Sequence, residues 1–183
     1  MKIKNSVLVY CAKFIGAFCI LYFGTMAIIG LAAPGDYYSA FIHDYLDYPA
    51  LLRKSLLHGA KISLSFFGYD TYILDTYYLR VAGGRGIRLV YSCLGTGVMS
   101  FWTAFVIANR GSGKKKLAWI FAGLILIWMI NIIRIALLLV ATNKNWPIPF
   151  HIDSHTLFNI IAYGAILIMI FLFDRANKQQ PSA

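Results

Sequence analysis

Glutamate is absent from this sequence of 183 residues, whose only acidic side chains are seven aspartates. Because lysine and arginine together number 17, the formal net charge is +10 at pH 7. Such a basic balance is typical of proteins that bind nucleic acid. Here the basic residues lie between long apolar runs, where anionic lipid and membrane orientation explain them better. We therefore expect membrane lipid as a partner, and no nucleic acid.

Cysteine is also scarce, with single residues at Cys11, Cys19 and Cys93. An odd number of cysteines without a Cys-x-x-Cys motif argues against a disulfide framework and against a zinc site. We therefore expect neither a metal nor a cofactor. Cys11 and Cys19 lie in an apolar segment, which predicts that they are small core residues.

Long apolar runs dominate what is present. The chain is 60% hydrophobic and its mean hydropathy is +0.67, values typical of an integral membrane protein. Uninterrupted apolar stretches of this kind predict transmembrane helices, here over residues 14–33, 92–109, 117–141 and 157–173. The first stretch is longer than the apolar core of a signal peptide, which favours an uncleaved helix. We expect one all-α helical bundle over residues 1–183 that crosses the membrane about four times.

The segment between the first two predicted spans has two different periodicities. Residues 36–68 carry aromatic residues and leucines at spacings of three and four, which predicts an amphipathic helical segment interrupted near Pro49. Its tyrosines favour the membrane interface, and an ordinary packed helix pair is the open alternative. Residues 76–82 and 87–91 are rich in β-branched and aromatic residues, and a glycine-rich turn separates them. This pattern predicts a β-hairpin.

The basic segments predict the orientation in the membrane. They are the N-terminus, the turn at residues 110–116 and the C-terminal tail. All three fall on one side of a four-span bundle, and lysine and arginine favour the cytoplasmic side. We therefore expect a multi-pass protein of the plasma or inner membrane with both termini cytoplasmic. Residues 34–91 and 142–156 would then be extracytoplasmic.

Two polar residues stand out at the outer ends of these spans. Arg134 lies inside an apolar helix, where a charge costs at least a few kcal/mol and almost always faces protein or water. Asn131, three residues earlier, shares its helix face. Cys93 begins the second predicted span, and both a helix N-terminus and a nearby arginine favour the nucleophilic thiolate form of a cysteine.

A third candidate lies at the start of the last span. His155, Asn159 and Tyr163 form a polar stripe at i, i+4 and i+8, which must face protein or water in a bilayer. The predicted topology brings His155 to the same depth as Cys93 and Arg134. His151 is the alternative histidine, but no polar stripe continues from it into the membrane.

Three short motifs resemble the exosortase/archaeosortase family of membrane-embedded cysteine enzymes, in a short four-span form. They are Tyr-Ser-Cys-Leu-Gly at residues 91–95, Asn-Ile-Ile-Arg-Ile at residues 131–135 and His-Thr-Leu-Phe-Asn at residues 155–159. The resemblance covers residues 75–173. It implies a transpeptidase, or cysteine protease, whose active site lies on the extracytoplasmic side. Its partners would be exported proteins with a C-terminal sorting signal, which consists of a short motif, a transmembrane helix and a basic tail.

The chemistry of the candidate residues fits such an enzyme. Cys93 would attack the peptide carbonyl, His155 would transfer the proton, and Arg134 would stabilise the thiolate or the oxyanion. Asn131 and Asn159 would support the site. Two alternatives stay open: a non-catalytic membrane assembly factor, and a small transporter or channel subunit that uses Arg134 and His155. The sequence leaves the substrate, the acceptor nucleophile and the oligomeric state open.

Overall fold

The structure is a computed structural model, and it describes residues 2–144 and 154–178. It is mostly helical, with a small sheet between the third and fourth helices. The α-helices, in chain order, are α1 Lys2–Ala32, α2 Ala40–Tyr45, α3 Tyr48–Phe66, α4 Thr96–Ala108, α5 Gly113–Lys144 and α6 Ser154–Lys178. The strands are β1 Thr71–Leu74, β2 Tyr78–Val81 and β3 Gly86–Arg88.

The chain divides into two compact units. The first unit contains residues 1–20, 97–127 and 148–183, and the second contains residues 21–96 and 128–147. The two are described separately below. A single domain over the whole chain stays a prediction.

Two of the described helices are long and apolar enough to cross a membrane. They are α1 over Ser6–Ala32 and α5 over Gly113–Lys144, with 27 and 32 residues. At about 1.5 Å per residue, each exceeds the roughly 30 Å of a hydrocarbon core. Only 6% of the apolar window of α1 is buried in protein, against 39% in α5. These lengths and compositions favour membrane association, whereas four crossings stay a prediction.

Helix α4 begins later than the sequence pattern predicts. The predicted span started at Ser92, whereas the helix runs over Thr96–Ala108. The reason is Gly95, whose φ of +76° lies in the left-handed region and cannot continue a right-handed helix. The 13 residues of α4 extend for about 20 Å, which is less than the thickness of the hydrocarbon core.

The predicted interruption of the amphipathic segment near Pro49 is confirmed. A side-chain oxygen of Asp47 accepts a hydrogen bond from the backbone N–H of Ala50 at 3.0 Å, and this cap begins α3. Pro49 occupies the first turn, where its missing N–H costs no helical hydrogen bond. Helices α2 and α3 are therefore separate.

In the second unit, the three strands form an antiparallel sheet in the order β1-β2-β3. The predicted hairpin is confirmed as β2 and β3, in which Leu79 pairs with Ile87. Strand β1 was not predicted, and in it Ile73 pairs with Leu79. The side-chain oxygen of Asn143, in α5, accepts a hydrogen bond from the backbone N–H of Arg85 at 2.8 Å, so α5 holds the hairpin turn.

One hydrophobic core joins α3, the hairpin and the C-terminal part of α5 in the second unit. Its buried members are Leu56, Leu57, Ala60, Leu64, Leu79, Leu89, Leu94, Ile132, Ile135 and Leu139. Helices α3 and α5 approach closely at Gly59, because a Cβ there would collide with the side chain of Ile132. Nε1 of Trp128 also donates a hydrogen bond to Oγ of Ser55 at 3.0 Å.

The first unit has a separate aromatic core. Trp102 of α4 is fully buried, and its ring meets Phe173 of α6 edge to face with centroids 6.1 Å apart. Its Nε1 donates a hydrogen bond to the carbonyl of Trp119 at 3.1 Å, which joins α4 to the N-terminal half of α5. The prediction that Cys11 is a core residue is wrong, because Cys11 is exposed on α1, whereas Cys19 is partly buried.

Candidate active site

Cys93 lies in a short turn that connects the hairpin to α4. Residues Tyr91–Cys93 form one turn of 3-10 helix, which we call the cysteine turn. The N–H of Cys93 donates to the carbonyl of Val90 at 2.9 Å, and the N–H of Leu94 donates to the carbonyl of Tyr91 at 3.2 Å. The prediction that Cys93 lies in the first turn of an α-helix is therefore wrong, and the field of α4 does not act on it as assumed. The side chain of Cys93 is partly buried.

Arg134 contacts this cysteine. Its Nη2 donates a hydrogen bond to Sγ of Cys93 at 3.8 Å, across 41 residues of sequence. The side chain projects from α5 and only 9% of the residue is exposed. The structure thus brings together two of the three candidate catalytic residues, and it does so within the second unit.

Asn131 holds the backbone that follows the cysteine. Its Nδ2 donates a hydrogen bond to the carbonyl of Leu94 at 3.1 Å, and the residue is only 4% exposed. Gly95 allows this approach, because a Cβ at that position would collide with Nδ2 of Asn131. Asn131 and Arg134 lie one turn apart on α5 and therefore contact consecutive parts of one loop.

This arrangement places a fixed positive charge beside a sulfur nucleophile. A guanidinium beside a sulfur atom stabilises negative charge on it, and the effect is stronger in a partly buried site than in water. The same donors can stabilise an oxygen that gains charge when a bound carbonyl is attacked. The contact between Cys93 and Arg134 is therefore compatible with acyl transfer, whose first step also needs a base for the thiol proton.

His155 lies in the first turn of α6, as residue two of Ser154–Lys178. Helix α6 belongs to the first unit, and the pairing of His155 with Cys93 stays a prediction. Asn159 follows one turn later on α6, and Tyr163 is exposed. The competing candidate His151 lies outside the described residues.

Sequence reasoning missed one residue close to the cysteine turn. Arg53, in α3, is only 4% exposed, and its Cζ lies 3.8 Å from the ring centroid of Tyr77 and 4.7 Å from that of Tyr91. Its Nε and Nη1 are buried and have no hydrogen-bond partner among the described residues. The sequence signal was a lone basic residue on the apolar face of an amphipathic helix, one residue after Leu52 and three before Leu56.

Within residues 2–144 and 154–178, no group of three or more His, Cys, Asp and Glu side chains lies close enough to hold a metal ion.

Comparison with known proteins identifies no family for this chain. No family model, no curated protein and no solved structure matches it. The function is therefore inferred from the geometry of the site and from the three short motifs.

Proposed function

We propose that this protein is a membrane-embedded cysteine peptidase or transpeptidase that removes C-terminal sorting signals from exported proteins. The observation that carries the proposal is the contact of Arg134 Nη2 with Cys93 Sγ at 3.8 Å. An arginine in an apolar helix is costly unless it is used, and here it contacts the side chain with the strongest intrinsic nucleophilicity. The resemblance to the exosortase/archaeosortase family supports the same assignment.

The reaction begins when His155 takes the proton of the Cys93 thiol and the thiolate attacks the substrate's peptide carbonyl. A sulfur–carbon bond forms, and the electron pair of the carbonyl moves to its oxygen. Arg134 stabilises the negative charge as it moves from sulfur to oxygen. Because the guanidinium is fixed on a helix, little reorganisation is needed when the charge moves.

The tetrahedral intermediate then collapses. The carbon–nitrogen bond breaks, and the leaving amine takes the proton from His155. The exported protein stays attached to Cys93 as a thioester, and the tail with its transmembrane helix is released. Attack by water gives hydrolysis, whereas attack by an amine gives transpeptidation, and either step returns the thiol.

The position of the site in the chain suits such a substrate. Arg134 and Asn131 belong to α5, which is long and apolar enough to cross a membrane. The scissile bond of such a substrate lies next to the substrate's own membrane helix. It would therefore lie at about the same depth in the membrane as Cys93, which is held against α5. In this proposal the protein crosses the plasma or inner membrane several times, both termini are cytoplasmic and the active site is extracytoplasmic.

The experiment that tests the proposal compares C-terminal processing of exported proteins in cells that produce the wild type or single variants at equal levels. Intact-mass measurement reports whether the C-terminal helix is still attached. Cys93→Ala is expected to leave substrates full length. Cys11→Ser is the matched control, because Cys11 is an exposed cysteine on α1, away from the cysteine turn in the sequence, and its variant should process normally.

Histidine variants test the base in the same assay. Removing a general base typically slows a reaction about a hundred- to ten-thousand-fold, so His155→Ala should accumulate full-length substrate. Full activity in His155→Ala with loss in His151→Ala reassigns the base. Full activity in Cys93→Ala rejects the cysteine mechanism and favours an assembly factor or a transporter subunit, neither of which requires this thiol.

A further inference from the structure

Helix α2 carries an exposed aromatic face. In the described part of the chain, none of the residues of α2 is buried. Phe41 is 64% exposed and Tyr45 is 77% exposed. They lie one turn apart with ring centroids separated by 5.3 Å, so they form one surface, and Tyr37 is exposed one turn before them. Grouped exposed apolar side chains of this kind mark a contact with a partner or with a membrane.

The opposite side of α2 is polar. An α-helix turns by about 100° per residue, so His43, two residues from both Phe41 and Tyr45, lies on the other side of the helix. Nδ1 of His43 lies 2.8 Å from a carboxylate oxygen of Asp44, and both side chains are exposed. The helix therefore has an aromatic side and a polar side, which is the pattern of a helix that lies in a membrane interface.

Two hydrogen bonds hold the ends of this segment against α1. The backbone N–H of Ser39 donates to the carbonyl of Leu31 at 2.8 Å. Oγ1 of Thr25 already donates to the carbonyl of Leu21 at 2.7 Å, so the hydroxyl of Tyr48 donates to Oγ1 of Thr25. The chain between Ser39 and Tyr48 therefore runs back beside the last turns of α1. The two levels that it contacts, Leu31 and Thr25, are about 9 Å apart along the helix.

This position sets the depth of α2. Helix α1 is long and apolar enough over Ser6–Ala32 to cross a membrane, and only 6% of its apolar window is buried in protein. When α1 crosses a bilayer, its last turns lie where the headgroups meet the acyl chains, and a helix beside them lies at that level. Tyrosine is enriched there because its ring is apolar and its hydroxyl is polar.

We propose that the aromatic face of α2 inserts into the headgroup–acyl boundary of the leaflet at the C-terminal end of α1. Lipid is favoured over a second copy or another protein, because α2 is held beside a helix of membrane length and its polar side then faces water. The sequence left open whether residues 36–68 lie at the interface or form a packed helix pair. The proposal divides them, since α3 packs in a hydrophobic core and α2 contacts lipid. It is independent of the chemistry at Cys93.

Spin labelling of the full chain in phosphatidylcholine liposomes tests the proposal. The three native cysteines are replaced by serine, and a nitroxide is attached to one introduced cysteine at a time. Power saturation then compares collisions with oxygen, which concentrates among acyl chains, and with a nickel chelate, which stays in water. Tyr45→Cys reports on the aromatic face, and His43→Cys is the matched control on the same helix. Phe23→Cys, at an exposed position of α1, is the reference for the acyl region.

The ratio of oxygen to nickel collisions is expected to be at least about threefold higher at Tyr45→Cys than at His43→Cys, because the two labels lie on opposite sides of a helix about 10 Å wide at a lipid–water boundary. Phe23→Cys should give a ratio as high as Tyr45→Cys or higher. Phe41→Cys repeats the measurement on the same face, in case a label at Tyr45 disturbs the helix.

Four results overturn the proposal. Equal ratios at Tyr45→Cys and His43→Cys show that α2 has no side facing lipid. A label at Tyr45→Cys that collides with neither reagent shows that protein covers the face. Dipolar broadening that disappears on dilution with unlabelled protein identifies a second copy as the partner. A label at Phe23→Cys that collides with the nickel chelate rejects the crossing by α1 on which the proposal depends.

The proposed enzyme activity fails separately. Cys93 is replaced in every labelled variant, so cleavage enters none of these measurements. Normal processing in Cys93→Ala therefore rejects the enzyme and leaves the lipid contact of α2 standing, whereas equal collision ratios reject only the lipid contact.

Discussion

The close approach of α5 to the backbone after Cys93 makes Gly95 a sensitive position. A side chain at Gly95 has two costs. Its φ of +76° is unfavourable for any L residue with a Cβ, and the Cβ would collide with Nδ2 of Asn131. Gly68 has nearly the same φ, +78°, but nothing lies within 4 Å of the position of its Cβ. The two glycines therefore separate backbone strain from collision.

The expected magnitudes follow from these two terms. Left-handed backbone costs an L residue about 1–2 kcal/mol, so Gly68→Ala should lower the free energy of unfolding by that amount. Gly95→Ala should lose the same contribution of about 1–2 kcal/mol from backbone strain. It should also displace the side-chain amide of Asn131 from the carbonyl of Leu94. A buried carbonyl without its partner costs about 1–3 kcal/mol, so we expect a total loss of about 2–5 kcal/mol for Gly95→Ala.

A denaturant titration of the full chain in detergent micelles measures both variants. Asn131→Ala should cost about 1–3 kcal/mol alone, because it leaves the Leu94 carbonyl unpaired. The double variant Gly95→Ala with Asn131→Ala should be less destabilised than the sum, because the second change removes the atom with which the Cβ collides. Equal losses for Gly95→Ala and Gly68→Ala, or strict additivity in the double variant, would refute the described packing.

Three further outcomes test other parts of the molecule. Arg134→Lys should lose most processing activity although it keeps the charge, because an ammonium lacks the planar fork of donors, and near-normal activity would remove the oxyanion role. Asn143→Ala should lower the free energy of unfolding by about 1–3 kcal/mol, since it releases the hairpin turn at Arg85, and limited proteolysis should then cut the turn faster than in the wild type. Cysteine labelling from outside the cell should reach residues 142–154 and not residues 111–116, and the reverse pattern would put the active residues on the wrong side.

Local patterns in the sequence predicted much of the fold. The hydropathy of α1 and α5, the break at Pro49 and the β2–β3 hairpin depend on composition and turn residues within a few positions, and such signals can be read directly. Strand β1 was missed because its four residues carry no clear alternation, and its identity depends on pairing with β2. The start of α4 was misplaced because the positive φ of Gly95 was not anticipated.

The candidate site, too, could be predicted from the sequence only in part. The contact between Cys93 and Arg134 was expected from their common depth in the predicted topology, and the structure brings them together. The sequence placed Asn131 on the same helix face as Arg134, but it did not predict the hydrogen bond from Asn131 to the carbonyl of Leu94. Arg53 could not be found in this way, because its partners come from the sheet and from the cysteine turn, and no local period in α3 indicates a contact with either.

The contact between Cys93 and Arg134 has a consequence for biosynthesis. Ribosomes make proteins from the N-terminus, so the thiol is synthesised 41 residues before its guanidinium partner. Throughout that interval Leu94 also lacks the amide of Asn131, because both partners belong to α5. The contacts of Arg134 with Cys93 and of Asn131 with Leu94 can therefore form only after α5 has been made, and a nascent chain that ends before α5 lacks both.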